Sequence, residues 1–167
     1  MERGCKQIVA VTSSLRRNVY KQRYQGYQDA LYDYSITPSD DLLIVDDLSE
    51  RAGIDAAMKI LKMKQLPDGA FITNDFVAAV CMRTLKDHGV KVPDDIAIVG
   101  FNNDIISKLI EPPLSTVNYP GSDVGEIAAR SLLNHLNGTS DISLTNTIIV
   151  RSDLIIRKSS LKKGKYA

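Results

Sequence analysis

The chain has 167 residues, of which 44% are apolar and 25% are charged, and its formal net charge is +1. This length and composition provide for one compact hydrophobic core. They argue against a protein that holds duplex DNA by itself, because the basic runs, Arg16–Arg17 and Lys162–Lys165, are short and the remaining charges are balanced.

Four short apolar runs, each bounded by turn residues, predict strands that are buried on both faces of a parallel sheet. They are Ile8–Val11, Leu42–Val45, Ala70–Thr73 and Ile96–Phe101. Their first residues are 26 to 34 positions apart, which is the spacing of βαβ units. Two later runs, Thr147–Val150 and Leu154–Ile156, predict strands at the edge of the sheet.

Helical patterns separate these strands. The first has an apolar stripe from Tyr20 to Tyr34, which we expect to pack in the core rather than to stack on nucleic-acid bases. Ser49 is a suitable cap for a second helix, and Gly89 is a suitable end for a third. A fourth helix is expected to begin near Asp123, in a capping-box pattern with Glu126, and to end before Gly138.

In an open α/β sheet, ligands bind beyond the carboxyl ends of the strands. Arginines, amides and carboxylates follow all four predicted central strands, at residues 12–18 and 23, 46–48, 74–75 and 102–104. Such groups suit a polyhydroxylated ligand, because buried hydroxyls need both donors and acceptors. Each Asn or Asp has an alternative interpretation as a helix cap or turn residue. Their occurrence in four loops together favours a site.

The sequence lacks a recognisable catalytic or metal-binding pattern. His88 and His135 both fall in surface contexts of helices, and adjacent Asp46 and Asp47 would point to opposite sides of a strand. The two cysteines lack the spacing of a metal site or a disulfide framework, so each is expected to be a buried thiol. There is no glycine-rich phosphate loop. We therefore expect no catalytic residues, no metal and no cofactor.

Several motifs resemble those of LacI/GalR-type bacterial transcription regulators. The segment PDDIAIVGFNN at 93–103, followed by PPLSTV at 112–117, is similar to the family signature. Upstream, RYQGY at 23–27 and PDGAFITND at 67–75 match at the expected spacing. Downstream, GEIAA at 125–129 and LIIRKS at 154–159 complete the pattern. The resemblance extends from about Gly4 to Ser160.

The resemblance implies an effector domain like that of periplasmic sugar-binding proteins, in which two α/β lobes close on a ligand. The expected fold is α/β with a doubly wound, mostly parallel sheet: one lobe of a type I periplasmic-binding-protein-like fold plus a helix from the other lobe. Residues 1–116 and 139–160 would form the C-terminal lobe, 117–138 the crossover and a helix of the N-terminal lobe, and 161–167 a tail. The chain is then expected to be a truncated form of a longer regulator, without its helix-turn-helix headpiece.

By position, the resemblance implies ligand contacts at Arg17, Arg23, Asp47, Leu48, Asn74 and Asn102. Arg23 is the expected clamp, because a planar guanidinium donates two aligned hydrogen bonds to ligand oxygens. Sugar-binding relatives often have Asp at the position of Asn102 and an aromatic ring at that of Leu48. These two departures leave the identity of the small polar ligand open, with a sugar favoured.

The resemblance also implies a homodimer, with Ala79, Arg83, Leu109 and Ile110 at the interface. In the alternative interpretation, Leu109 and Ile110 pack beneath their own loop. Operator DNA would be bound only through the headpiece, and no membrane partner is expected.

Two other classes of protein are compatible with an α/β fold of this kind. An exported sugar-binding protein of an ABC transporter would have the same lobes, but a signal sequence or paired cysteines would favour it and neither is found. An enzyme of the doubly wound class should display a nucleophile elbow or a phosphate loop. The sequence therefore predicts a non-enzymatic, cytoplasmic, effector-sensing domain, whose ligand alters the operator affinity of the parent regulator.

Overall fold

A computed structural model of the protein describes residues 4–144 and 147–161. The basic run at 162–165, and all but the first residue of the predicted tail at 161–167, lie outside the described residues. Over the two described ranges, no helix combines the length and the apolar character needed to cross a bilayer.

One six-stranded sheet, with strand order β2-β1-β3-β4-β5-β6, organises the molecule. The first five strands run parallel, and β6 pairs antiparallel with β5 at the edge. The strands are β1 (Ile8–Thr12), β2 (Leu43–Val45), β3 (Gly69–Ile72), β4 (Ala97–Asn102), β5 (Ser115–Asn118) and β6 (Asp153–Ile155). The chain steps from β1 outward to β2 and then returns past β1 to β3, as in a doubly wound fold. The predicted fold class is confirmed.

The helices are α1 (Asn18–Asp33), α2 (Glu50–Leu61), α3 (Asp75–Asp87), α4 (Ile106–Leu109) and α5 (Gly121–Leu136). The four longer ones were predicted, whereas the single-turn α4 was not. Short 3-10 turns occur at Asp40–Leu42, Ile142–Leu144 and Lys158–Ser160.

Alternate residues of β1 reach two separate cores. Val9 and Val11 are fully buried in the larger one, which lies between the sheet and the helices α2 and α3. Ala10 points to the other face, where it packs with Tyr27 and Leu31 of α1. Helices on both faces explain why the strand is apolar without alternation. The predicted tyrosine stripe of α1 is correct for its centre, while Tyr34 at its end is 51% exposed.

The predicted helix ends at Ser49 and Gly89 are correct, and Asn74 is a cap, as the alternative interpretation of the strand-end amides expected. Ser49 and Asn74 each accept a hydrogen bond from the backbone N–H three residues on, at 3.1 Å, and so cap α2 and α3. Gly89 follows α3 with a φ of +85°, a conformation that favours glycine. The capping box at Asp123 is wrong, because α5 begins two residues earlier and has no side-chain cap.

In the C-terminal third, one predicted strand is wrong and one strand was not predicted. Residues Thr147–Val150 form no strand, and Ile149 is 89% exposed there. The strand β5 was missed because its sequence, STVN, is short and mostly polar, and it acquires its strand pairing from β4 and β6. Since Asn118 pairs with both Asn102 and Asp153, the sheet runs past the boundary expected at residue 116.

The helix α5 stands away from both cores. In the described part of the chain none of its residues is buried, and Leu132, Leu133 and Leu136 are 50%, 58% and 71% exposed. Its apolar stripe therefore lacks the cover that an amphipathic helix normally has.

Candidate functional site

The parallel strands bring the predicted ligand residues to one edge of the sheet. β1 to β4 all end there, and Asn102 is the last residue of β4. The loop after β2 contains Asp47 and Leu48, and Asn74 lies between β3 and α3. Arg17 and Arg23 lie at the start and in the second turn of α1, which follows β1. We call this the ligand edge.

Arg23 is the most constrained of these side chains. Its Nη1 donates a hydrogen bond of 2.7 Å to the carbonyl oxygen of Thr73, and its guanidinium carbon lies 3.7 Å from the centroid of the Phe101 ring. Partial burial lowers its pKa from the ordinary value, although an arginine stays charged at neutral pH. The guanidinium is thus fixed between β3 and β4, with its remaining N–H groups as donors.

The amides at the ends of β3 and β4 differ in how freely they can meet a ligand. Asn74 uses its side-chain oxygen to cap α3, so both interpretations of this residue are compatible, with the NH₂ group left to donate. Asn102 has a φ of +118°, which non-glycine residues rarely adopt, and its Nδ2 makes a long hydrogen bond of 3.4 Å to Asp104.

The other three predicted residues lie at the rim. Asp47 is exposed, and hydrogen bonding to Ser49 lowers the pKa of its carboxyl. Leu48 has a φ of +64° and packs partly against the larger core, so only part of its side chain can form a wall. Arg17 is exposed and makes no side-chain hydrogen bond within residues 4–144 and 147–161. These three residues lie at the rim of the ligand edge, and their side chains are less constrained than that of Arg23.

A family model described as a periplasmic binding protein-like domain matches residues 1–160. This chain belongs to that family. Within it, the HTH-type transcriptional repressor PurR of Edwardsiella ictaluri (strain 93-146) is 32% identical over 159 residues, which make up 95% of this chain and 46% of the repressor. The effector-binding domain of the LacI/GalR type, expected from the motifs, is thereby confirmed.

Two solved structures support the same assignment of this periplasmic binding protein-like domain. The transcription regulator CcpA of Lactococcus lactis has a TM-score of 0.86 and 30% identity, over 95% of this chain and 57% of that one. The transcriptional regulator CelR, solved in complex with cellobiose, has a TM-score of 0.86 and 25% identity, over 95% and 48% of the two chains. The chain spans about half the length of the curated relatives it matches.

The helices α3 and α4 form the surface at which a homodimer interface was predicted. Leu109 is 73% exposed, and Arg83 is exposed beside Asp87. Ile110 is half-buried and packs against the larger core, as the alternative interpretation expected. Ala79 is 4% exposed and offers almost no contact area, so we retain Arg83, Leu109 and Ile110 for the proposed interface.

A cavity of about 650 Å³ lies on the face of the sheet that α1 covers in part. Its walls are mainly apolar and include Tyr27, Phe71, Val99 and Leu154, and Arg23 reaches it at the ligand edge. The cysteines are buried and unpaired, as predicted. Over the described ranges, no three His, Cys, Asp or Glu side chains are placed to hold a metal ion.

Several residues that support the ligand edge were not among the predicted ligand contacts. Phe101 lies beneath the Arg23 guanidinium. Arg157, from the chain after β6, donates to Asn103 at 2.8 Å and to the Leu114 carbonyl at 2.7 Å. Asp75 lies buried beneath the loop that follows β4. An arginine far along the chain and an aspartate beside a helix cap give no pattern in the sequence that shows these contacts.

Proposed function

We propose that this chain is the effector-sensing part of a LacI/GalR-type transcription regulator that acts in the cytoplasm, and that it binds a small polar ligand, most favourably a sugar, at the ligand edge. The observation that carries the proposal is the placement of Arg23. Its guanidinium is already oriented by the Thr73 carbonyl and by the Phe101 ring, so little conformational entropy is lost when it donates to ligand oxygens.

The neighbouring groups support a hydroxylated ligand. The NH₂ group of Asn74 is available to donate, and the carboxylate of Asp47 is available to accept. Donors and acceptors at the carboxyl ends of neighbouring strands are groups that sugar hydroxyls require. The likeness to CelR, a structure solved with cellobiose, supports the same ligand class.

The relatives favour this function over that of an exported sugar-binding protein of an ABC transporter. PurR, CcpA and CelR are named as transcriptional repressors or regulators. In such a protein the ligand changes operator affinity because it binds one arrangement of the parent protein more tightly than another. Operator contacts then belong to a part of the regulator other than this chain, whose net charge is +1.

Ligand binding is tested by NMR titration of the ¹⁵N-labelled chain with millimolar cellobiose and with a panel of monosaccharides. At least one sugar should shift the amide signals of residues 17–23, 47–48, 74 and 102. Arg23→Ala should abolish these shifts. The matched control is Arg51→Ala, which removes an exposed arginine whose ion pair with Asp55 lies on α2.

Two results would contradict the assignment. If every sugar leaves the ligand edge unshifted, the ligand class is wrong. If shifts occur there but persist in Arg23→Ala, Arg23 is not the clamp. A gel-shift assay at physiological salt should show no operator binding by this chain, and a salt-sensitive, sequence-specific shift would overturn the separation of the two activities.

The chain should also form a homodimer through α3 and α4. Leu109 is a large apolar side chain that is 73% exposed, and it adjoins Ile110, which lines a surface pocket together with Arg83. Exposed apolar surface of this kind is available to a partner. Light scattering should give a dimer for the wild type and a monomer for Leu109→Asp. We choose Leu109 because Ile110 contributes to the core.

The control for the dimer is Ile149→Asp, at a position that is 89% exposed and outside α3 and α4. It should leave the mass unchanged. A wild-type chain that stays monomeric at high concentration would refute self-association. A Leu109→Asp dimer would instead assign the contact to another surface, such as the uncovered stripe of α5.

A further inference from the structure

The carboxylate of Asp75 is completely buried and both of its oxygens are used. Oδ2 accepts a hydrogen bond of 2.8 Å from the backbone N–H of Asp104, and Oδ1 accepts one of 2.7 Å from the hydroxyl of Thr116. These partners lie on different elements: Asp104 in the loop after β4 and Thr116 on β5. One side chain from the first turn of α3 therefore connects three parts of the lobe.

Gly100 makes room for this carboxylate. A Cβ atom at that position would lie 2.1 Å from Oδ1 of Asp75, so the carboxylate rests directly on the backbone of β4. The contact leaves the aspartate no room to move toward β4. Its position relative to β4 is fixed by packing as well as by hydrogen bonds.

The loop above Asp75 has an unusual backbone. Asn102 and Asn103 have φ values of +118° and +59°, which side-chain-bearing residues rarely adopt. Asn103 is held there by a backbone hydrogen bond of 3.2 Å to the Thr116 hydroxyl, and by the side chains of Asn118 and Arg157. Thr116 thus accepts from the loop and donates to Asp75, so the two sets of contacts form one network.

The charge of Asp75 argues for a role beyond stability. In the described ranges no Lys, Arg or His lies within ion-pair distance of it, and the nearby Asp104 carboxylate is unfavourable to its ionised form. Burial raises the pKa of Asp75, while the hydrogen bonds from Thr116 and from the loop oppose the rise. A buried unpaired carboxylate stabilises a fold poorly, but a charged acceptor orients its donors more strongly than a neutral one.

We propose that Asp75 is the positioning residue of the ligand edge: through Asp104 and Thr116 it fixes the 102–104 loop and β5 relative to the start of α3. Asn74, which adjoins Asp75, and Asn102, which begins the loop, then keep a fixed separation. Because Thr116 lies on β5, the strand that leads into α5, the same network also holds β5. The part that names Asn74 and Asn102 as ligand contacts rests on the proposed function, whereas the positioning itself does not.

The test uses amide hydrogen exchange and ¹H–¹⁵N spectra of the whole chain without ligand. Asp75→Ala should accelerate exchange of the Asn103 and Asp104 amides at least tenfold and shift their signals. Asp75→Asn keeps the shape and one acceptor but loses the charge and the second acceptor, so it should restore only part of the protection. Thr116→Ser should behave as the wild type, and Thr116→Val should behave as Asp75→Ala.

The matched control is Asp68→Ala. Asp68 is also a carboxylate that accepts backbone hydrogen bonds, from Lys6 and Gln7 at 2.8 to 3.0 Å, but it precedes β3 at the opposite edge of the sheet. It should lower the melting temperature without changing the 102–104 signals. If Asp75→Ala fails to fold, Thr116→Val decides the question through the Asp104 amide, which donates to Asp75 and not to Thr116.

The proposal is overturned if Thr116→Val leaves the 102–104 amides as protected as in the wild type, or if Asp68→Ala changes them equally. The sugar titration is a separate result. Loss of loop protection in Thr116→Val, with no sugar response in the wild type, would keep the positioning role and reject the ligand edge. Intact loop protection in Thr116→Val, with a sugar response in the wild type, would reject the positioning role and keep the ligand edge.

Discussion

Replacement of Gly100 by alanine should be the most damaging single methyl addition in the lobe. The new Cβ would lie 2.1 Å from Oδ1 of Asp75 and 2.9 Å from Cδ2 of Leu114, and both neighbours are fully buried. Overpacking of a core typically costs about 1–3 kcal/mol. If Asp75 moves away, it also loses a hydrogen bond to a charged group, which is worth about 1.5–3 kcal/mol. We expect a loss of about 3 kcal/mol in the free energy of unfolding.

Gly26→Ala is the matched control. Gly26 lies inside α1 with an ordinary helical φ, and no atom lies within 4 Å of the position that an alanine Cβ would occupy. Alanine is better than glycine in a helix by about 1 kcal/mol, so the same methyl group should stabilise the protein here. For a chain of this size, about 1 kcal/mol changes the melting temperature by roughly 2–4 °C. The two variants should therefore melt on opposite sides of the wild type, roughly 6–12 °C below and 2–4 °C above it.

Thermal unfolding followed by circular dichroism, with urea titration at 25 °C, measures both effects. The double variant Gly100→Ala with Asp75→Ala should lose less stability than the sum of the two single variants, because the second change removes the atom that the first one meets. The reasoning is refuted if Gly100→Ala melts within 2 °C of the wild type, roughly the effect of 1 kcal/mol or less. Strict additivity in the double variant would show that the strain does not involve Asp75.

Two further predictions concern single hydrogen bonds. Ser49→Ala removes the cap of α2 and should cost about 1 kcal/mol in urea unfolding, whereas Ser39→Ala, at a turn without a side-chain cap, should cost nothing measurable. Tyr27 donates to the Ile8 carbonyl at 2.6 Å, and burial raises the pKa of its hydroxyl to about 12. The unfolded chain loses this proton near pH 10. The stabilisation of the folded state by the Tyr27 hydroxyl is therefore complete below pH 10 and is lost as the pH rises to 12. Tyr27→Phe should lose about 1 kcal/mol at pH 8 and decline less than the wild type between pH 9 and 11, and parallel declines would contradict the assigned pKa.

The expected α/β class, the parallel central strands and the caps at Ser49 and Gly89 were all predictable from the sequence. These features depend on local physical chemistry. A strand covered on both faces must be apolar throughout, as Val9, Ala10 and Val11 are. A hydroxyl at a helix start and a glycine past a helix end satisfy backbone groups within a few residues. Such contacts span short stretches of chain, so sequence patterns record them.

The strands that were missed or wrongly predicted lie in segments whose structure depends on distant neighbours. β5 is mostly polar and becomes a strand because β4 and β6 pair with it. Thr116 in β5 is fully buried, and its hydroxyl donates a hydrogen bond to Asp75. Thr147–Val150 has the apolar pattern of a strand, yet it pairs with no strand in the described part of the chain and stays exposed. Propensity alone did not decide either case, because strand pairing supplies the hydrogen bonds.

The sequence by itself determined which polar residues follow the strands and, through its motifs, the family. Only the tertiary structure decided what these residues do. It showed that Asn74 has to cap α3, that Arg23 is held by Phe101 and Thr73, and that Asp75 lies beneath the 102–104 loop. Sheet order brings together side chains that are separated by 29 to 78 positions, from Asp75 and Asp104 to Arg23 and Phe101. No local pattern encodes such a distance, because the physical contact exists only after the strands have paired.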